Sequence, residues 1–183
     1  NRCQICHADP VLPVGDSMAP AEQVIDPVSS FLITNMLKGV IEHGTGRRAR
    51  ALGRPAAGKT GTTNKQVDAW FIGYTPQVLT GVWVGKDTPT SMGKRETGSR
   101  AALPIWLGAM QAFHRNKPVE DFIPPEGIEW VAIDPKTGKL AGAETKVPML
   151  EAFRAGTAPV EDTEPSTDTR PEKRSKDFFE LGR

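Results

Sequence analysis

The sequence lacks a clear excess of charge of either sign, and it has few of the residues that usually mark metal or redox sites. It contains 23 Lys and Arg against 22 Asp and Glu, only two cysteines and only three histidines. A chain with a net charge of +1 has no overall field that would attract nucleic acid. No apolar run approaches the roughly 20 residues that span a bilayer, and no signal sequence opens the chain. We therefore expect no nucleic-acid partner, no metal and no cofactor.

The two cysteines lie close together in the sequence. Cys3, Cys6 and His7 match the C-x-x-C-H pattern of c-type haem attachment. Haem also needs an enclosing apolar pocket and an axial ligand, whereas residues 8–16 contain the Pro, Gly and Asp that are typical of loops. We interpret the segment as a surface hairpin with two thiols or a local disulfide, and haem attachment as the alternative.

One stretch of the sequence fits two unrelated patterns. Residues 53–60 match the phosphate-loop pattern G-x-x-x-x-G-K-[ST], which joins a buried strand to a helix whose N-terminus binds phosphates. Residues 46–52, however, include three arginines and are too charged for a central parallel strand. Residues 61–63 are poor helix formers. Nucleotide binding therefore stands as an alternative and not as the main hypothesis.

The other pattern is an extended strand from Pro55 to Thr62 at the edge of a sheet. Side chains alternate along a strand, so Thr60 and Thr62 share one face, while Lys59 and Gly61 share the other. The two hydroxyls would lie about 7 Å apart and suit a carboxylate, with an ammonium group nearby. Gly61 would let a second extended backbone approach closely. These features predict a binding site for the carboxy-terminus of a peptide.

Further residues continue this pattern in a fixed order. The runs that carry it are Ala57–Asn64, Asp68–Pro76, Gly81–Gly85 and Glu96–Gly98. In this set the sequence resembles the class A (bifunctional) penicillin-binding proteins, which synthesise peptidoglycan, and the matching part is the C-terminal part of their D,D-transpeptidase domain. The resemblance covers about residues 19–114 and extends more loosely to about residue 159.

The resemblance assigns roles to the K-T-G strand. Lys59 would hold positive potential near the substrate carboxylate, and Thr60 and Thr62 would donate hydroxyl hydrogen bonds to it. The backbone N–H of Thr62 would form one half of the oxyanion hole. Gly61 completes the motif, and Thr63 is the last predicted substrate-binding residue.

The nucleophile of this family is absent from the chain. The family carries it in an S-x-x-K motif that opens a helix, followed by S-x-N and then K-T-G. Ser91 to Lys94 matches S-x-x-K as a string, but it follows the K-T-G strand and is flanked by Pro89. We interpret Ser91 as a loop residue. The chain alone is therefore expected to be inactive and to need an upstream part of the same protein that carries the serine.

The resemblance also implies the fold class, which is α+β: a helix-flanked antiparallel sheet of the serine β-lactamase/penicillin-binding transpeptidase type. This chain would supply three of its five strands, 56–62 at the edge, 68–74 in the middle and 79–85 innermost. The predicted divisions are an N-terminal hairpin or loop segment (1–25), the transpeptidase part (26–115), a small β extension (116–159) and a disordered tail (160–183).

Local signals refine these elements. Asp26-Pro27 predicts the start of a helix that ends before Gly44, and residues 100–114 predict a second helix. Trp83 is expected in the core, and a position lining the cleft is the alternative. Residues 128–133 predict a strand, followed by a turn at 134–138 that leads into another strand.

The partners implied by the resemblance are peptidoglycan stem peptides and β-lactam antibiotics. It also implies a location on the periplasmic face of the inner membrane, with the membrane anchor outside this chain. A non-catalytic structural segment of a cell-wall protein is the remaining alternative. The cluster of Arg47, Arg48, Arg50 and Arg54 is interpreted as a solvated loop or a set of ion-pair partners, and a binding role is the alternative.

Overall fold

The structure, a computed structural model, describes residues 23–160. They fall into two units, residues 23–128 and residues 129–160. The cysteine segment with Cys3, Cys6 and His7 and the predicted tail beyond residue 160 lie outside the described residues. The predictions made for them stay predictions.

The first helix, α1, spans Pro27–Glu42 and begins where the sequence predicts. Asp26 caps it, because its carboxylate accepts hydrogen bonds from the backbone N–H and the hydroxyl of Ser29, both at 2.9 Å. Pro27 fits the first turn, because the N–H groups there have no acceptor within the helix and the lack of an N–H in proline costs no hydrogen bond. The helix ends at Glu42 with His43 as the C-cap residue, as predicted.

The K-T-G segment forms a three-stranded antiparallel sheet with the two strands that follow it. Its strands are β1 (Ala57–Thr62), β2 (Ala69–Tyr74) and β3 (Leu79–Val84), in the order β1-β2-β3. The predicted edge position of β1 and the central position of β2 are confirmed. The helix-flanked, antiparallel α+β character of the chain is therefore present in the structure.

The inner face of the sheet packs on a second helix, α2, which spans Leu103–Phe113. The ring of Trp106 meets Phe71 edge to face, with the ring centroids 4.9 Å apart, and its indole N–H donates to the carbonyl of Gly73 at 3.2 Å. A Cβ on Gly73 would lie only 2.8 Å from the Trp106 ring. A glycine is therefore needed where this helix crosses β2.

The predicted apolar face of α2 is only partly buried. Leu103, Trp106 and Met110 are fully buried, whereas Ile105 and Phe113 are exposed. The α-helix also starts at Leu103, because Gly98–Ala102 forms a π-helical turn before it. Pro104 falls in the first turn of the α-helix, as expected.

The prediction that Trp83 belongs to the core is wrong, because its side chain is 49% exposed. Val82 and Val84 pack on the core, so the two-residue alternation of β3 turns Trp83 to the opposite face. There it pairs with Trp70, with ring centroids 6.3 Å apart, and its indole N–H donates to Asp68 at 2.9 Å. Aromatic composition alone does not show which face of a strand is inward.

Two further strands, β4 (Ile128–Ile133) and β5 (Met149–Arg154), form a two-stranded sheet that makes up the second unit apart from the first residue of β4. The predicted turn after β4 is confirmed, since Gly138 donates to the carbonyl of Asp134 at 2.8 Å. The prediction of a strand directly after this turn is wrong. Only an isolated bridge joins Ile133 to Leu140, and β4 pairs with the later β5 instead. Gly142 and Pro148 lie between the two, and neither residue type supports a continuous strand.

No helix within residues 23–160 is both long enough and apolar enough to cross a bilayer.

Candidate functional site

The geometry of residues 53–62 decides between the two patterns that this segment fits. Gly53 has a φ of 71° and ends the 3₁₀ helix Arg47–Leu52, after which the chain extends into β1. A phosphate loop would instead pass from Lys59 and Thr60 into a helix. Here these two residues lie in the middle of a strand. The nucleotide-binding alternative is therefore wrong.

The two threonines of β1 share one face, and each has a defined partner. The Thr60 hydroxyl lies 2.8 Å from the hydroxyl of Thr45, which belongs to the loop after α1. The Thr62 hydroxyl accepts a hydrogen bond from the backbone N–H of Gly98 at 3.1 Å. Both side chains remain accessible, Thr62 more than Thr60. The local contacts thus orient both hydroxyls while leaving them open to a ligand.

Among residues 23–160, no strand pairs with the outer side of the β1 backbone. The N–H of Thr63 donates to the carbonyl of Asp68 at 3.1 Å, in register with the pair Thr62 and Ala69. Since hydrogen-bonded and non-hydrogen-bonded pairs alternate in an antiparallel ladder, the N–H groups of Thr62 and Thr60 are directed to the free edge. A second extended chain can pair with this edge.

Lys59 and Thr63 stand apart from the two oriented hydroxyls. The Lys59 side chain is exposed, and its ammonium group donates to the carbonyl of Thr60 at 2.8 Å. The hydroxyl of Thr63 accepts from the backbone N–H of Asp68 at 2.8 Å and so stabilises the β1–β2 connection. This hydroxyl is therefore already engaged within the protein. The predicted substrate-binding role of Thr63 stays a prediction.

Ser91 lies in a loop, which confirms its interpretation. Its hydroxyl accepts from the backbone N–H of Gly93 at 3.2 Å, and its carbonyl accepts from the Lys86 ammonium at 2.8 Å. It does not open a helix.

A cavity of about 980 Å³ is lined in part by Thr45, the residue whose hydroxyl contacts Thr60 of β1. Its lining includes Thr45 and two groups of arginines, Arg47, Arg48 and Arg50 from the 3₁₀ helix and Arg95 and Arg100 from the segment before α2. The sequence predicts the first group of arginines as a cluster but gives no sign of Arg95 and Arg100, and it assigns no role in the site to Thr45 or Gly98. These residues are 15 or more positions from Thr60, so no local spacing signals their approach.

The four arginines that are close in the sequence do not all line the cavity, because Arg54 is not among its lining residues. Arg54 turns away from the cavity and donates to Nδ1 of His114 at 2.7 Å and to the carbonyl of Pro118 at 3.1 Å. Of the two interpretations of the remaining arginines, the solvated one fits the described part of the chain, where Arg47, Arg48 and Arg50 are exposed, and the ion-pair one does not, because none of them forms an ion pair there.

Within residues 23–160, no three His, Cys, Asp or Glu side chains are grouped so as to hold a metal ion.

Comparison with known proteins gives a consistent result. Residues 14–106 match the penicillin binding protein transpeptidase domain, and residues 124–167 match the family described as penicillin-binding protein 1A, C-terminal domain. Penicillin-binding protein 1A from Pseudomonas aeruginosa is 45% identical over 153 residues, which are 83% of this chain and 18% of the relative. The protein of the same description from Aquifex aeolicus is 45% identical over 146 residues, which are 79% of this chain and 20% of the relative.

A solved structure shows the same relationship. The crystal structure of penicillin-binding protein 1A from Haemophilus influenzae superposes with a TM-score of 0.71 at 31% sequence identity, over 79% of this chain and 22% of that chain. The chain thus spans about a fifth of the length of these relatives. It belongs to the penicillin-binding protein 1A family, in which it corresponds to the C-terminal portion of the transpeptidase domain followed by the C-terminal domain.

Proposed function

We propose that this chain is the substrate-carboxylate-binding part of a peptidoglycan D,D-transpeptidase. The observation that carries the proposal is the free edge of β1, where the hydroxyls of Thr60 and Thr62 share a face. Hydroxyl donors on one side of an extended strand suit a peptide carboxylate, and the open backbone suits an extended peptide. Lys59 supplies positive potential to the same edge.

In the proposed reaction, a serine from an upstream part of the protein attacks the penultimate D-Ala carbonyl of a stem peptide. The bond between the two D-Ala residues breaks and the last D-Ala leaves as the free amino acid. An amine of a second stem peptide then takes the acyl group and releases the serine. The Thr62 N–H, directed to the free edge, would stabilise the oxyanion of each tetrahedral intermediate together with a second donor from the upstream part.

The sheet offers a place for this upstream part. One edge of the three-stranded sheet is β3, and the outward face carries the exposed apolar side chains of Trp70, Ile72, Leu79 and Trp83. An unpaired edge and an exposed apolar face of this kind are usually covered in a complete domain. We propose that the upstream part completes a five-stranded sheet here, and that residues 116–159 form the predicted extension.

The same proposal covers β-lactams and location. A β-lactam that imitates the D-Ala-D-Ala end would acylate the upstream serine while its carboxylate is held on β1. Such a synthase acts on the periplasmic face of the inner membrane, with its anchor outside this chain. Residues 1–183 alone are expected to remain unlabelled by fluorescent penicillin, since they lack the nucleophile.

The test uses the full-length synthase with Thr60→Val and Thr62→Val. Each loses a hydroxyl that donates to a charged carboxylate, so the rate constant of acylation by fluorescent penicillin should fall about tenfold or more. Thr80→Val on β3 is the matched control, because its hydroxyl contacts Met110 in the interior and not the β1 edge. Unchanged acylation in both β1 variants would contradict the proposal, and so would Lys59→Ala with full cross-linking activity.

A further inference from the structure

The cavity that Thr45 helps to line carries an unusual concentration of positive charge. Five arginines line it, Arg47, Arg48, Arg50, Arg95 and Arg100, together with small and hydroxyl-bearing residues and Gln66, and no Asp or Glu belongs to its lining. Within the described part of the protein, the charge of these arginines therefore has no ion-pair partner.

Two separate segments bring these charges together. The 3₁₀ helix Arg47–Leu52 supplies one wall, and the segment that runs into the π-helical turn Gly98–Ala102 supplies the other. The hydrogen bond from the backbone N–H of Gly98 to the hydroxyl of Thr62 fixes the second wall to β1, and the hydroxyl contact of Thr45 with Thr60 fixes the first. Both walls are thus attached to the two threonines of the proposed carboxylate site.

The shape and size of the cavity indicate the kind of anion. A volume of about 980 Å³ is large for a single phosphate ion and falls at the upper end of the pockets that hold drug-sized ligands. Arginine presents a planar fork of donors that matches a carboxylate in two hydrogen bonds. Several such forks in one cavity suit a ligand with more than one carboxylate.

We propose that this arginine cavity is a second anion subsite, which binds acidic groups of the donor peptide that precede its D-Ala-D-Ala end. The proposal rests on the proposed function and adds a determinant of substrate choice. The terminal carboxylate binds on β1, and the preceding carboxylates of the same peptide reach the cavity past Thr45. The subsite makes the synthase prefer acidic donor peptides over amidated ones.

The test compares two synthetic donors with the full-length synthase. One ends in D-Ala-D-Ala and keeps its free acidic groups, and the other has all of them amidated except the terminal carboxylate. The measurement is kcat/KM for release of D-Ala. The wild-type synthase should prefer the acidic donor about tenfold at low salt, and the preference should shrink as ionic strength rises.

The variant Arg47→Gln with Arg100→Gln removes one charge from each wall of the cavity. It should lose most of the preference for the acidic donor while keeping the wild-type rate of acylation by fluorescent penicillin, which also shows that it is folded. Arg115→Gln is the matched control, because Arg115 is exposed after α2 and does not line the cavity. It should keep the full preference.

Several results would overturn the proposal. The proposal is contradicted if the wild-type synthase shows no preference for the acidic donor. It is also contradicted if the double variant keeps the wild-type preference. Loss of binding to phosphatidylglycerol vesicles in the double variant, with the donor preference unaltered, would assign the arginines to lipid headgroups. Failure of the proposed function looks different, since the wild-type protein would then neither bind penicillin covalently nor release D-Ala from either donor.

Discussion

The backbone N–H of Gly98 donates a hydrogen bond to the hydroxyl oxygen of Thr62 across 3.1 Å. This contact joins the turn before α2 to the end of β1, where the proposed oxyanion donor lies. A Cβ on Gly98 would collide with the carbonyl of Trp70 and would lie 2.6 Å from the carbonyl of Gly61. The close approach of the two segments therefore requires a residue without a side chain.

Gly98→Ala should accordingly displace Thr62 from its partner. We expect it to lower the free energy of unfolding by about 1–3 kcal/mol, as overpacking usually does, and to slow acylation of the full-length synthase by penicillin. Thermal melting and labelling rates check the two effects.

Gly108→Ala is the control, since Gly108 lies inside α2 and a Cβ there meets nothing within 4 Å. That change should leave labelling intact and stabilise by up to about 1 kcal/mol; equal behaviour of the two variants would contradict the account.

Thr45 is expected to orient the hydroxyl of Thr60. Thr45→Val keeps the shape of the side chain but removes the 2.8 Å contact between the two hydroxyls. The rate constant of penicillin acylation should fall several-fold, in line with the roughly 1 kcal/mol of one hydrogen bond. Thr45→Ser restores the hydroxyl and should recover the rate. If the valine and serine variants acylate equally fast, the contact has no part in the site.

His114 should make the stability of the protein depend on pH. It is buried at the end of α2, where its ring nitrogens contact Arg54 at 2.7 Å and Thr75 at 3.1 Å. Burial lowers the pKa of His114 from the ordinary value of 6.5, and the charges of Arg54 and Lys117 lower this pKa further, with Glu120 opposing them. The folded state thus favours the neutral ring, which accepts a hydrogen bond from Arg54.

Between the lowered pKa and pH 6.5 the unfolded chain binds more protons than the folded one, so stability falls as pH falls through this window. Urea unfolding of the full-length synthase at several pH values measures the slope, and His114→Gln should flatten it. A slope that survives in the His114 variant would show that another group titrates.

The parts of this structure that the sequence predicts are those with short-range causes. Asp26 and Pro27 mark the start of α1 because capping involves neighbouring residues. The K-T-G strand is recognisable because hydroxyls, glycine and β-favouring residues follow one another in a fixed order. In contrast, the approach of Gly98 to Thr62 and of Thr45 to Thr60 depends on how whole segments pack, and no spacing along the chain signals it.

The wrong predictions have the same origin. Trp83 was expected in the core from its residue type, but the inward face of β3 is chosen by its contacts with α2, which lies about 20 residues further along the chain. The strand expected directly after residues 134–138 fails because β4 finds its partner at Met149–Arg154 instead. Arg47 and Arg100 likewise share one cavity only because the fold places their segments side by side.

The most direct test of the central claim is a crystal structure of the full-length synthase acylated by penicillin. We expect the penicillin carboxylate to lie within hydrogen-bonding distance of the hydroxyls of Thr60 and Thr62, and the ester carbonyl oxygen to accept a hydrogen bond from the backbone N–H of Thr62. A carboxylate bound away from β1, with both threonine hydroxyls facing only protein, would contradict the claim.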